Sequence, residues 1–133
     1  KGAQASGEEN YVRDHLPGVA LHQMGTGFTW DTRDRESDIA AAKRTWEHAV
    51  EMLSDVSYHL VVLDELTYML AFDYLPESEV INALTGRPES QSVVVTGRGG
   101  GQALREAMDT VSEVKEIKHA YRAGIRARQG VDY

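Results

Sequence analysis

The sequence contains no cysteine, which excludes a disulfide framework, a thiolate zinc site and a cysteine nucleophile and fits a reducing cytoplasm. Proline is scarce, at three residues in 133, and no Pro/Ser-rich linker or internal repeat divides the chain. No stretch approaches the ~20 consecutive apolar residues of a membrane span. The five histidines show no i, i+4 pair, and neither HExxH nor GxSxG occurs, so zinc-peptidase and serine-hydrolase chemistry have no foothold. No basic strip interleaved with aromatics favours single-stranded nucleic acid. The chain also opens on Lys1-Gly2-Ala3, without an initiator methionine or a signal peptide, as expected of the later part of a longer polypeptide.

What remains is ordinary globular composition: 41% apolar, 26% charged and 8% aromatic, enough for one domain with a sizeable core. A net charge of −7 argues against general binding to nucleic acid or to an anionic membrane. The C-terminal stretch runs the other way, with Lys115, Lys118, Arg122, Arg126 and Arg128. Two explanations fit it, a solvated surface or a local anion site.

Val19 to Met24 alternates loosely between apolar and polar residues after Pro17-Gly18, which predicts a strand. Ile39, Ala42, Trp46, Ala49, Val50 and Leu53 recur at three- and four-residue spacing and predict an amphipathic helix from about Asp34 to Leu53. Glu36 and Asp38 favour its positive end, and Asp34 and Ser37 are candidate caps. Leu60-Val61-Val62-Leu63 and Ser92-Val93-Val94-Val95-Thr96 predict two strands buried on both faces. Pro76 opens a helix through Leu84 that Gly86 closes. A short helix is expected from about Gln102 to Met108, a further strand from Thr110 to Val114, and an N-terminal helix around Glu8 to His15. Alternating strands and helices predict an α/β fold, with a mostly parallel sheet and helices on both faces, over residues 1–133 as a single domain.

In such sheets, ligands bind beyond the carboxyl ends of the strands. Asp64-Glu65 follows an apolar strand directly, either as a Walker B-like carboxylate pair near Mg²⁺ and phosphates or as a cap for the next helical turn. Gly97-Arg98-Gly99 offers backbone N–H groups and a guanidinium to an anion, or is a glycine turn with a solvated arginine. It is not a dinucleotide fingerprint, since Gln102 stands where the third glycine belongs. Phe28 and Trp30 flank Thr29 beyond a Gly25-Thr26-Gly27 hinge and, in an extended segment, point to the same side. They either pack in a core or form an exposed apolar ligand wall. His119 is the one histidine near the expected rim; His22 and His59 border strands and fit structural roles.

Four segments then become specific in combination: Gly25-Thr26-Gly27-Phe28-Thr29-Trp30, Leu63-Asp64-Glu65-Leu66-Thr67-Tyr68, Val95-Thr96-Gly97-Arg98-Gly99, and the ending from Lys118-His119-Ala120-Tyr121 to Gly130-Val131-Asp132-Tyr133. In this order, over essentially the whole chain, they closely resemble the P-loop type of corrinoid adenosyltransferase. The resemblance implies a P-loop NTPase (RecA-like) architecture and transfer of the 5′-deoxyadenosyl group of ATP to cob(I)alamin or a related corrinoid, with release of triphosphate. It further implies Mg²⁺, a flavin-type reductant, a cytoplasmic homodimer and no nucleic-acid or membrane partner.

In that family an apolar wall displaces the lower axial ligand of cobalt(II), easing its reduction to the nucleophilic cobalt(I); Phe28 and Trp30 match the wall. The resemblance puts Met24, Phe28, Trp30, Arg98 and His119 at the corrinoid, and Asp64, Glu65 and Arg98 at the nucleotide. Glu65 is the tentative Mg²⁺ ligand and, with Phe28 and Trp30, a catalytic candidate. The family's opening strand and Walker A loop are not in this sequence, whose Lys1-Gly2 matches a point just after the second strand. The 133 residues alone are therefore not expected to be a competent ATP-binding enzyme. Two alternatives are a non-catalytic corrinoid-binding module and a RecA-like ATPase.

Overall fold

A computed structural model of the chain describes residues 7–24 and 35–128. Phe28, Trp30, the glycine hinge before them and the Gly130-Val131-Asp132-Tyr133 ending lie outside the described residues.

The elements in chain order are α1 (Gly7–His15), α2 (Arg35–Ser54), β1 (Leu60–Leu63), α3 (Leu66–Ala71), α4 (Glu77–Thr85), β2 (Ser92–Val95) and α5 (Gln102–Ala107), followed by a 3₁₀ turn at Ala120–Ala123. The strands pair in parallel, Leu60 opposite Ser92 through Leu63 opposite Val95. A parallel pair needs a crossover, and α3 and α4 supply it. The result is a mixed α/β chain with a small parallel sheet.

The long helix forms where its period predicts. Ala42, Trp46, Ala49 and Leu53 are its buried residues, one stripe at three- and four-residue spacing. Trp46 is large, so its polar edge needs a partner: the indole N–H donates to Glu79 Oε1 at 3.0 Å, linking α2 to α4. The core continues through Val61 and Leu63 of β1, Leu66 and Leu70 of α3, Leu75, Val80 and Leu84 of α4, and Leu104 of α5.

Three expectations need correction. Residues 19–24 and 110–114 form no strand. Neither has a hydrogen-bonded neighbour among the described sheet pairings, and an extended segment without a ladder leaves its backbone groups to water. The two strands that do form are not buried on both faces. Val61 and Leu63 point into the core, while Leu60 and Val62 are 53% and 56% exposed, the strict period of a strand with one covered face. Val94, opposite Val62, is exposed as well. Helices are therefore found against one face of the sheet among the described residues, not against both.

One buried polar residue ties the layers together. The Gln91 side chain, 2% exposed, brings Nε2 within 3.1–3.2 Å of the carbonyls of Met52, Asp55 and Tyr58. Three acceptors around one atom identify it as the donor nitrogen. Met52 is in the last turn of α2, where carbonyls lack intrahelical partners, so one amide serves the helix end, the turn and the approach to β1. In that turn the Ser57 backbone N–H, and after it the Ser57 hydroxyl, hold the Asp55 carboxyl below its usual range. Arg87 steadies Gln91 from behind, donating to its carbonyl at 2.8 Å and to Leu84 O at 2.7 Å. Gln91→Met preserves volume and removes the donor, so Tyr58 O loses its amide partner while Met52 O and Asp55 O keep only the backbone bonds from Asp55 N–H and Tyr58 N–H. We expect a loss of about 2–3 kcal/mol, read from the urea midpoint of the full-length protein at unchanged m-value. A midpoint equal to the parent's would mean that water replaces the amide.

Candidate functional site

Both parallel strands end on the same rim. β1 is followed by Asp64 and Glu65 and then α3; β2 is followed by Thr96, Gly97, Arg98 and three more glycines, and then α5. The crevice beyond the carboxyl ends of the strands thus collects the acidic pair and the Gly-Arg-Gly segment, as the sequence leads one to expect.

Asp64 does not act as a helix cap. Position Glu65, not Asp64, precedes the first turn of α3, and its side chain makes no capping hydrogen bond. The Asp64 carboxylate instead accepts from the Thr96 hydroxyl at 2.5 Å. That hydroxyl oxygen also accepts from the Glu65 backbone N–H at 2.9 Å. Two backbone bonds flank it: Thr96 N–H to Leu63 O at 3.2 Å and Thr67 N–H to Thr96 O at 3.4 Å. One residue at the tip of β2 therefore holds most of the turn between β1 and α3.

That turn is strained. Glu65 sits at φ 58°, ψ 18°, the left-handed region that costs a non-glycine residue about 1–2 kcal/mol. Its carboxylate is exposed and has no partner among the described residues. Asp64 is exposed too, with one carboxylate oxygen engaged and the other open. Two carboxylates beside a hydroxyl form a hard-oxygen donor set that suits Mg²⁺, an ion that keeps several waters and takes one or two carboxylates together with substrate phosphates. It is not a closed protein cage: among the described residues no cluster of three or more metal-ligating side chains occurs.

The glycines make the close approach of the two tips possible. Gly97 has φ +147°, and a Cβ there would fall 2.1 Å from Thr67 Oγ1. Gly100 has φ +61°, and a Cβ there would meet the Thr67 carbonyl and the Ala71 amide, each at 2.8 Å. The loop after β2 thus lies directly on α3, and Arg98 rides on it, exposed. Thr67 Oγ1, beneath Gly97, is buried without a hydrogen-bond partner.

The remaining candidates are not brought to this rim by any hydrogen bond, ion pair or ring contact among the described residues. Met24 lies in irregular chain and is 41% exposed. His119 precedes the 3₁₀ turn, where its Nδ1 accepts from the Tyr121 backbone N–H at 3.1 Å; a lone pair on Nδ1 places any ring proton of the neutral imidazole on Nε2. Lys115 and Lys118 are exposed in irregular chain. His22, expected beside a strand, instead meets His48 of α2 edge-on, ring centres 4.6 Å apart. A separate groove of about 450 Å³ opens between α2 and α4, lined by Lys43, Leu70, Asp73, Tyr74 and Glu77 among others, and none of the candidates lines it. Thr96 is the residue that sequence reasoning left without a role. Its only signal was a hydroxyl at the tip of one buried strand when the neighbouring tip carried a carboxylate.

The family ATP:corrinoid adenosyltransferase BtuR/CobO/CobP matches residues 1–133. The chain is 52% identical over its whole length to the corrinoid adenosyltransferase of Escherichia coli strain K12, covering 67% of that protein. It is 50% identical to corrinoid adenosyltransferase CobA of Salmonella typhimurium strain LT2, with the same coverage. The Pseudomonas aeruginosa corrinoid adenosyltransferase is 47% identical over the full chain, which spans 66% of it. The chain belongs to the corrinoid adenosyltransferase family, and it is that of an enzyme of this kind. No described helix is long and apolar enough to cross a membrane.

Proposed function

We propose that the full-length protein transfers the 5′-deoxyadenosyl group of ATP to cob(I)alamin or a related corrinoid and releases triphosphate. The reading rests on family membership together with one observation, the exposed Asp64–Glu65 pair held at the strand tips by Thr96. An enzyme family argues against a carrier that merely binds corrinoid. In the reaction, cobalt(I) supplies the electron pair for the new bond to C5′, and the C5′–O bond breaks with its pair leaving on the triphosphate. Charge grows on the departing oxygen, so preorganised cations at the polyphosphate lower the barrier.

Asp64 and Glu65 are the residues that would hold Mg²⁺, which, when bound, neutralises polyphosphate charge. The carboxylates would thereby help to position the nucleotide, and Arg98 would make a polar or anionic contact on the same rim. Phe28 and Trp30 form the apolar wall below the corrin, with Met24 and His119 as further corrinoid contacts. In this proposal residues 1–133 form one α/β domain of P-loop architecture, the enzyme is a cytoplasmic homodimer, and a flavin-type donor reduces the cobalt.

The test uses the full-length protein with chemically prepared cob(I)alamin and Mg-ATP. Loss of the cobalt(I) absorbance should accompany formation of one triphosphate per adenosylated corrinoid. ADP as the product would point to a RecA-like ATPase, and pyrophosphate plus phosphate to a different route.

A further inference from the structure

We propose that Thr96 is a positioning residue for the metal-nucleotide site, its single hydroxyl fixing both the Asp64 carboxylate and the backbone of Glu65. The proposal rests on the assignment of Asp64 and Glu65 to Mg-ATP given above. Hydroxyl stereochemistry makes the arrangement directional. An amide N–H can only donate, so Thr96 Oγ1 accepts from Glu65 N–H. The one hydroxyl proton is then committed to Asp64 Oδ1, which accepts it and is thereby held in one orientation. The same contact that orients Asp64 thus also secures the left-handed backbone of Glu65, a conformation that needs external support to persist.

The hydroxyl has little to do with the core. Thr96 is exposed and lies one residue beyond the last residue of β2. Its own N–H and C=O bond to Leu63 and Thr67, bonds that any non-proline side chain leaves intact. Thr96→Val therefore keeps the shape and backbone pairing and removes the clamp, while Thr96→Ser restores the hydroxyl. Partners of this kind, which orient metal-binding carboxylates, characteristically matter by about 10–100-fold in affinity or activity.

The experiment measures the affinity of the full-length parent, Thr96→Val and Thr96→Ser for Mn²⁺-ATP by water-proton relaxation, with Mn²⁺ as the paramagnetic replacement for Mg²⁺. Adenosyl transfer from Mg-ATP is followed alongside. Thr96→Val should weaken Mn²⁺-ATP binding and slow transfer by about tenfold or more. Thr96→Ser should recover most of both; Thr96→Val, without the two bonds that hold the turn, should melt about 2–4 °C lower and remain fully folded at the assay temperature. Parent-like affinity in Thr96→Val, or a serine variant as weak as the valine variant, overturns the clamp. A parent that binds Mn²⁺-ATP in a Thr96-dependent manner yet releases no triphosphate overturns the transfer reaction and leaves the clamp standing.

Discussion

Phe28→Ala and Trp30→Ala should each cost the full-length protein about tenfold or more of its activity from cobalt(II) and a flavin reductant, and far less from prepared cobalt(I). Each factor of ten is about 1.4 kcal/mol of lost transition-state stabilisation. The asymmetry follows from the proposed task of the rings. An axial donor stabilises cobalt(II) against reduction, and an apolar wall excludes that donor. Cobalt(I) carries no strongly held axial ligand and already has its nucleophilic pair, so it gains little from the wall. Core packing makes the opposite forecast: truncating a buried aromatic ring costs ~3–5 kcal/mol and lowers stability and both activities together. Assays from each oxidation state, with thermal melts of every variant, separate the two. Equal losses with a lowered melting temperature would return Phe28 and Trp30 to the core.

Glu65→Gln should suppress turnover by about 100-fold while leaving the melting temperature where it was. Removal of a single preorganised electrostatic contact to a developing charge has effects of this order. The side chain is exposed and unpartnered among the described residues, so the fold loses nothing when its charge goes. Glutamine also keeps the reach of the side chain and the left-handed backbone at position 65. Glycine would be a poor choice here, because it relieves the φ of 58° and mixes a backbone gain with the loss of the carboxylate. A Glu65→Gln enzyme as active as the parent across a Mg²⁺ titration would remove the metal assignment from this residue.

The parts of the fold that can be read from the sequence are those with a long period. Some four turns of regular apolar spacing place α2 within a residue of its observed ends, and the Pro76 and Gly86 boundaries bracket α4. Leu60 to Leu63 and Ser92 to Val95 are recognisable as strands, but a wholly apolar run of four residues carries no record of how many faces are covered. The helix α3 escapes notice because its six residues include Thr67 and Tyr68, which favour strands. It forms nonetheless because Leu66 and Leu70, one turn apart, both reach the core. Val19–Met24 and Thr110–Val114 fail for the complementary reason: strand character is conferred by a neighbour, and a local pattern cannot supply one.

The gathering of Asp64-Glu65 and Gly97-Arg98 on one rim is legible, since it needs only the direction of two parallel strands. The Thr96 contact is not. It depends on the register that sets Leu63 opposite Val95, and a slip of one residue would turn the hydroxyl to the other face.

Gly97 and Gly100 give this site an unusual genetic position. Every amino acid one base away from a glycine codon carries a Cβ, and at both positions a Cβ would run into Thr67 or Ala71. The loop over α3 thus has no neighbouring sequence to drift through, whereas Arg98 between them is sterically open to exchange. Randomised libraries of this segment should return glycine at 97 and 100 under selection for fold alone, and variety at 98 until corrinoid adenosylation is made the condition of survival.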